Sequence, residues 1–216
     1  MSWLEDALAN GSLHSSKIST IELPPALLWR VYPQRHGAAG FNRTLQGDAR
    51  FSPLESGGAV VPTLYAGSTL EVAMMEIVLR DAPSPSDGFI LTLSETTEAR
   101  RVACLQPSAS LRLVDLSGIG LRRLGLARAE VIDSSQLEYP ATRRLAAWFY
   151  ANMPAAQGLC WTSRQNDEGR AVVLFEPRLG AVQLAVRSQE EPFTSGPHLD
   201  TLLTLAERLG AGVIVR

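Results

Sequence analysis

Lysine is nearly absent from this sequence, and long apolar segments are absent altogether. Of the 20 lysine and arginine residues among 216, Lys17 alone is a lysine, so arginines are spread along the chain. Because the formal net charge is −2, the chain has no general attraction for nucleic acid or for anionic membrane surfaces. No segment approaches the roughly 18 consecutive apolar residues that a membrane span requires, and residues 1–10 lack the apolar core of a signal peptide. We therefore expect a cytoplasmic protein that binds neither nucleic acid nor membranes directly.

Cysteine is also scarce, since Cys104 and Cys160 are the only two. They lie far apart in apolar segments, neither belongs to a CxxC motif, and neither has a histidine at metal-ligand spacing. His36 likewise has no second histidine nearby, and we interpret it as a surface residue. The sequence therefore predicts two buried, reduced thiols and no metal site.

The sequence is rich in short apolar segments. Hydrophobic residues make up 45% of the chain, which is enough for the core of one domain of this length. Runs of β-branched and aromatic residues predict strands, and apolar residues at helical spacing predict at most four helices. The predicted strands cover residues 27–32, 60–65, 89–93, 101–105, 111–116, 158–162, 171–175 and 213–215, and the predicted helices cover 3–9, 69–80, 140–153 and 197–209.

These elements do not alternate regularly, which decides the expected fold class. Regular alternation of strand and helix would indicate a parallel sheet, whereas this order favours an α+β fold. We expect a single compact domain with a mixed, mainly antiparallel sheet flanked by helices. Residues 1–26 are predicted to form an N-terminal extension and residues 27–216 the main folded domain.

Residues 64–78 combine local structure and chemistry more clearly than any other stretch. A strand is predicted to end at Tyr65, and Gly67 permits a sharp turn after it. Ser68 and Glu71 form a capping-box pattern, in which each side chain satisfies a backbone donor at the start of a helix. The helix that follows is apolar on two nearly opposite faces, so we expect it to be buried.

Glu76 lies between the two apolar faces of this predicted helix. One interpretation is a solvent-exposed ion pair with Arg80, one turn later, which would contribute only about 0.2–0.5 kcal/mol. The other is that Glu76 faces a cleft, where a carboxylate flanked by apolar walls is a strong hydrogen-bond acceptor for a ligand hydroxyl. The sequence leaves both interpretations open.

Three further polar residues stand beside predicted apolar strands. Arg30 interrupts strand 27–32, so it either faces water at a sheet edge or points into a cleft. Arg50 lies in a loop before the next strand, and such loops often carry binding residues. Ser163 follows strand 158–162, where its hydroxyl can either reach a cleft at the strand ends or bond the backbone of the turn.

The order of these residues is similar to that of the RES domain, a family named for its Arg, Glu and Ser residues. The similarity covers residues 27–177 and rests on Arg50 before Phe51-Ser52-Pro53, on Leu64-Tyr65, on Glu76 in the following helix, and on Ser163 after Gly158-Leu159-Cys160-Trp161-Thr162. The family supplies the toxin of bacterial toxin–antitoxin pairs whose antitoxin carries an Xre-type helix-turn-helix. Its fold is similar to that of ADP-ribosylating toxins. Its members degrade NAD by hydrolysis or phosphorolysis, and some are ADP-ribosyltransferases.

The resemblance implies a role for each matching residue. Arg30 and Arg50 would bind the pyrophosphate of NAD, and Tyr65 would pack on the nicotinamide or its ribose. Glu76 would bind the ribose hydroxyls, and Ser163 would complete the pocket. Breaking the bond between ribose and nicotinamide creates an oxocarbenium-like centre that a nearby carboxylate stabilises. The expected catalytic residues are therefore Arg50, Tyr65, Glu76 and Ser163.

The resemblance also implies a substrate and partners. We expect NAD as substrate, inorganic phosphate as an optional co-substrate, no cofactor and no metal. The expected protein partner is an Xre-type helix-turn-helix antitoxin, and a homo-oligomer is compatible with the sequence. Two other functions stay open, an ADP-ribosyltransferase acting on a protein and a non-catalytic binding module of the same fold. The matching Arg, Tyr, Glu and Ser residues favour a catalytic function over the binding module.

Overall fold

Twelve strands are found in the computed structural model, which describes residues 3–80, 90–93, 99–164, 166–188 and 195–214. They are β1 (Thr20–Leu23), β2 (Leu28–Pro33), β3 (Leu54–Ser56), β4 (Ala59–Val61), β5 (Thr63–Gly67), β6 (Ile90–Thr92), β7 (Arg100–Pro107), β8 (Leu111–Asp115), β9 (Gly158–Thr162), β10 (Arg170–Phe175), β11 (Leu184–Ser188) and β12 (Gly212–Ile214). Residues 89 and 215, at the ends of two predicted strands, lie outside the described residues.

Eight of these strands form one sheet in the order β1-β8-β9-β10-β5-β2-β7-β11. Only β8 and β9 pair in parallel within this sheet, and its other neighbours are antiparallel. Two smaller sheets pair β3 with β4 and β6 with β12. The prediction of an α+β fold with a mixed, mainly antiparallel sheet is therefore confirmed.

Helices pack against the sheet in two apolar clusters. The described helices are α1 (Trp3–Ala9), α2 (Leu70–Ile77), α3 (Gly118–Leu124), α4 (Arg128–Val131), α5 (Tyr139–Asn152) and α6 (Pro197–Arg208). One cluster joins α1 and α5 to the sheet, and another joins α2 and α6 to it. Six helices are therefore described, so the prediction of at most four is wrong. The sequence analysis missed α3 and α4, which are short and lie in the connection between β8 and β9.

Helix α2 is buried on more than one side, as its two apolar faces predict. Val72 belongs to the cluster of α1 and α5, whereas Ala73, Met74 and Met75 belong to the cluster of α6. Its start differs from the prediction, because the side chain of Thr69 caps the helix by accepting a hydrogen bond from the backbone N–H of Val72 at 3.2 Å.

Ser68 makes a different hydrogen bond, so the predicted capping box is wrong. Its hydroxyl accepts from the backbone N–H of Arg170 at 3.0 Å and ties the start of α2 to the first residue of β10. The helix spans residues 70–77 and is shorter than the predicted 69–80. The strand predicted over 60–65 is also two strands, since β4 pairs with β3 while β5 pairs with β10. Proline at position 62, between them, has no N–H for either ladder.

The first 26 residues contribute to both the core and the sheet. Leu4 and Ala7 of α1 are buried in the same cluster as α5. Strand β1 pairs with β8 along its whole length, from Thr20 opposite Val114 to Leu23 opposite Leu111. The division of the chain at residue 26 stays a prediction. Among the described residues, no helix is both long enough and apolar enough to cross a membrane.

Strands β2 and β5 diverge at the centre of the large sheet. Their registered pairing is Trp29 opposite Gly67, although each strand pairs over five or six positions with its other neighbour. Beyond this point β2 continues toward Pro33 while β5, running in the opposite direction, leads back to Thr63. A gap opens between these two halves of the strands.

Candidate functional site

A cleft of about 320 Å³ occupies the gap between β2 and β5. It has the size at which small-molecule sites begin, roughly 300 Å³. Its lining comes from β2, the loop after it, β5 and α2, and consists of Arg30, Val31, Tyr32, Pro33, Arg35, His36, Asn42, Thr44, Gln46, Gly47, Asp48, Ala49, Ser52, Thr63, Tyr65 and Ile77. A separate recess of about 10 Å³, which Arg30 and Tyr65 also line, is bordered by Glu76. Three of the predicted site residues therefore meet at one place.

Glu76 faces the end of β9 and not only solvent. Its Oε1 accepts a hydrogen bond from the hydroxyl of Ser163 at 2.7 Å and a second from the backbone N–H of Arg164 at 3.2 Å. Arg80, the alternative partner, donates to the backbone carbonyl of Asp48 at 2.8 Å. The contact with Ser163 favours an inward-facing Glu76 over an exposed pair with Arg80. Glu76 borders the small recess but not the cleft, so its contact with a ligand stays a prediction.

Ser163 is fully buried at the point where β9 ends. Its backbone N–H donates to the carbonyl of Gly169 at 3.0 Å, which closes the loop between β9 and β10. Its carbonyl accepts from Nη2 of Arg128 at 3.3 Å. The hydroxyl contacts Glu76, so the side chain orients this carboxylate while the backbone of the same residue holds the turn.

Tyr65 is half-buried and tightly held at both its ring and its hydroxyl. The ring packs edge-to-face on Trp161 with 6.0 Å between centroids, and Trp161 packs in the same way on Phe51 at 5.1 Å. The hydroxyl accepts a hydrogen bond of 2.8 Å from the backbone N–H of Phe51. Burial raises the pKa of this phenol, so Tyr65 stays neutral and its O–H remains a hydrogen-bond donor at ordinary pH.

Arg30 is 7% exposed and lines both the cleft and its recess. Its Nη1 donates to the carbonyl oxygen of Ala38 at 2.7 Å, and its guanidinium carbon lies 5.1 Å from the centre of the Tyr32 ring. The interpretation in which Arg30 faces a cleft is supported by this placement. A fixed cation at the wall of a cleft is suited to binding an anion.

Arg50 is 6% exposed and is not part of either cleft lining. Its Nη1 donates to the carbonyl oxygens of Val131 at 3.2 Å and Ser134 at 3.0 Å. Burial lowers the pKa of the Arg50 guanidinium, and nearby acidic groups that include Glu76 and Tyr65 oppose this shift. The structure therefore places Arg50 near Glu76 and Tyr65 but outside the lining of the cleft and of the recess.

His36 departs from its interpretation as a plain surface residue, since it lines the cleft together with Arg35. Partial burial and the positive charges of Arg35 and Arg30 lower the pKa of His36, which keeps the imidazole neutral near pH 7. The sequence signal for this part of the cleft was the polar loop after β2. Among the described residues, no three His, Cys, Asp or Glu side chains lie close enough to bind a metal ion.

A second and larger cleft, of about 670 Å³, lies beside α2 and α6. Its lining includes Glu71 and Met75 of α2 and Leu205 of α6, together with the loop 166–169. The predicted site residues do not line it. The loop that follows Ser163 thus borders this second cleft, while Ser163 itself is buried and contacts Glu76.

The structure is that of an α+β protein with a cleft between two diverging strands of an open sheet. The family model described as the RES domain matches residues 27–195 of the chain, so the chain belongs to the RES domain family. A chain of the crystal structure of the M. tuberculosis MbcT–MbcA toxin–antitoxin complex has a similar fold, with a TM-score of 0.57. The two are 18% identical, and the match covers 96% of this chain and 98% of the other. A search of the curated proteins found no match.

Proposed function

We propose that this chain cleaves the bond between nicotinamide and ribose in NAD and acts as the toxin of a toxin–antitoxin pair. The observation that carries the proposal is the Glu76 carboxylate, fixed by the Ser163 hydroxyl, at the recess that Arg30 and Tyr65 also line. Membership of the RES domain family supports it. The likeness to a chain of a toxin–antitoxin complex supports an antitoxin partner, which we expect to carry an Xre-type helix-turn-helix.

Glu76 would supply the electrostatic part of the chemistry. Both hydrogen bonds that it accepts from described residues reach Oε1, which leaves Oε2 to accept from a ribose hydroxyl. As the bond to nicotinamide breaks, positive charge develops on the ribose, and a preoriented carboxylate stabilises that charge. Nicotinamide leaves as a neutral molecule, so the reaction needs no strong general acid.

Arg30 and Tyr65 would hold the two ends of the reacting half of NAD. A guanidinium donates paired hydrogen bonds to a diphosphate, and Arg30 lies in the cleft wall where such a group can reach it. The face of an aromatic ring attracts a flat cation. We assign the nicotinamide ring to the side of the cleft that Tyr65 lines, next to the recess of Glu76.

Three activities are possible, and they differ in the acceptor of the ADP-ribosyl group. Capture by water makes the chain an NAD glycohydrolase, capture by phosphate makes it an NAD phosphorylase, and capture by a protein side chain makes it an ADP-ribosyltransferase. The first two use water or phosphate, which are small enough to diffuse into a cleft, whereas a protein acceptor must dock over its opening. We therefore propose glycohydrolase or phosphorylase activity and keep the transferase as the alternative.

The proposal is tested by incubating purified chain with NAD in the presence and absence of inorganic phosphate. Free nicotinamide is followed over time, and the second product is identified by mass as ADP-ribose or its phosphate ester. NAD labelled in the adenylate shows whether label remains on protein, which is the transferase outcome. A folded, partner-free chain that releases no nicotinamide under either condition would contradict the proposal. In cells, expression should stop growth, and coexpression of the cognate antitoxin should restore it.

A further inference from the structure

Arg50 is fastened at its guanidinium by one short segment of the chain. Its Nη1 donates to the carbonyls of Val131 and Ser134 and also to the hydroxyl of Ser134. Ser134 is 1% exposed, and its hydroxyl donates in turn to the carbonyl of Val131 at 3.3 Å. The Tyr139 ring lies 5.1 Å from the guanidinium carbon. These contacts hold one end of the guanidinium, Nη1, against the segment that ends at Ser134, which partly offsets the cost of burying the cation.

The peptide bond that follows Arg50 is fastened at both of its polar ends. The hydroxyl of Thr142, which is fully buried in α5, donates to the carbonyl of Arg50. The N–H of the same peptide unit belongs to Phe51 and donates to the hydroxyl of Tyr65 at 2.8 Å. A rigid amide plane therefore connects the buried arginine directly to the aromatic residue in the cleft.

We infer that Arg50 is a positioning residue that acts through Tyr65 and is not a ligand of the NAD diphosphate. Ser134 and Thr142 are positioning residues as well, because Ser134 holds the Arg50 side chain and Thr142 holds the Arg50 carbonyl. The inference rests on the proposed function. It differs from the role that the family resemblance implies for Arg50, and it follows from the burial of this residue outside the cleft lining.

The two roles predict different kinetic effects. A diphosphate contact is made equally in the bound substrate and in the transition state, so its loss raises KM and leaves kcat nearly unchanged. Tyr65 borders the recess where the bond to nicotinamide would break. Misplacement of a group at the reacting bond lowers kcat instead, because a small error in orientation removes much of the rate acceleration.

The test compares Arg50→Gln, Ser134→Ala, Thr142→Val and Arg30→Gln with the intact chain in NAD-cleavage assays. For Arg50→Gln we expect kcat to fall at least about tenfold while KM for NAD stays within about twofold. Inhibition by the product ADP-ribose, which keeps the diphosphate but lacks nicotinamide, should be unchanged in Arg50→Gln and weakened in Arg30→Gln. Ser134→Ala and Thr142→Val should lower kcat in the same direction by smaller factors.

The decisive comparison introduces Arg50→Gln into a Tyr65→Phe variant, which lacks the hydroxyl that accepts the hydrogen bond from the backbone N–H of Phe51. Arg50→Gln should lower kcat much less in this background than in the intact chain, because the two changes break the same connection. Ser135→Ala is the matched control, for this serine is exposed and its hydroxyl bonds Glu138. Circular dichroism and the melting temperature identify a variant that has simply unfolded. If Arg50→Gln has unfolded, the kinetics of the milder variants Ser134→Ala and Thr142→Val test the inference instead.

The failures of the two proposals are distinguishable. In one outcome the intact chain cleaves NAD, and Arg50→Gln or Ser134→Ala raises both KM and the inhibition constant of ADP-ribose. Arg50 then binds the diphosphate, so the inference is overturned while the proposed function stands. The inference would also be overturned if the fall in kcat of the double variant equals the product of the falls in Arg50→Gln and Tyr65→Phe. An intact chain that does not cleave NAD overturns the proposed function, and the inference falls with it.

Discussion

The hydroxyl of Ser163 donates a hydrogen bond of 2.7 Å to Oε1 of Glu76, across 87 positions of the sequence. This contact joins the end of β9 to α2 and fixes the direction of a carboxylate at the recess beside the cleft. Among the described residues, the backbone N–H of Arg164 is the second donor to the same oxygen, and Oε2 receives none. One oxygen is thus used for orientation, and the other is available to a ligand.

Replacing Glu76 by glutamine keeps the size of the side chain and an acceptor for Ser163 but removes the negative charge. If the carboxylate stabilises the oxocarbenium-like centre, kcat for nicotinamide release should fall about 100-fold or more. The melting temperature should change little. Glu71→Gln is the control on the same helix, because Glu71 lines the second cleft; it should leave kcat unchanged. Equal activity in Glu76→Gln and in the intact chain would remove Glu76 from the mechanism.

Replacing Ser163 by alanine tests the orientation of Glu76 separately from its charge. Hydrogen bonds to charged groups contribute roughly 1.5–3 kcal/mol, so we expect kcat to fall about tenfold and less than in Glu76→Gln. Steady-state kinetics on both variants measures this order. Ser68→Ala, which loses a hydroxyl bonded to the backbone of Arg170, serves as the comparison. A larger effect of Ser163→Ala than of Glu76→Gln would indicate that Ser163 acts chemically on its own.

Arg30→Gln should weaken substrate binding without slowing the bound complex. The loss of a guanidinium contact to the diphosphate raises KM about tenfold, with kcat nearly constant. Arg112→Gln is a suitable control, since Arg112 is exposed and pairs with Glu22 at 2.7 Å. Calorimetric titration with ADP-ribose gives the same comparison without catalysis. Unchanged affinity in Arg30→Gln would place the diphosphate elsewhere.

Gly169→Ala should destabilise the loop that Ser163 begins. A methyl group at this position would lie 2.1 Å from Cγ2 of Val72, a fully buried residue of α2. Overpacking of this kind costs about 1–3 kcal/mol, which urea unfolding measures directly. The cost should be smaller when Val72→Ala supplies the missing space. If the penalty is the same in both backgrounds, contact with Val72 is not its cause.

Cys160 and Cys104 should not react with a thiol reagent while the protein is folded. Both are free and buried, and burial raises the pKa of the Cys160 thiol to about 11 and that of Cys104 in the same direction. Since the thiolate is the reactive form, the fraction that can react at pH 8 is small. Titration with a disulfide reagent should detect no thiol in the native protein and two in guanidinium chloride. Rapid native reaction of either thiol would contradict this burial.

Local patterns in the sequence were enough to predict many of the elements and some of their chemistry. The strand over residues 158–162 is found with the predicted bounds, and helix α6 begins at the predicted Pro197. The two apolar faces of α2 indicated its burial, because periodicity depends only on neighbouring residues. The start of this helix was misplaced by one position, since Ser68 and Thr69 are both good caps and the approach of β10 determined which one was used.

By itself, the sequence determined the fold class and the set of residues from which the site is built. Tertiary structure alone decided which of them line a cavity. The cleft exists because β2 and β5 diverge on one side of the pair Trp29 and Gly67, and Glu76 is oriented because Ser163 arrives from a distant strand. Arg50 was grouped with the ligand-binding residues, yet it is buried against the segment that ends at Ser134. Such pairings depend on how whole elements pack together, so no local pattern records them.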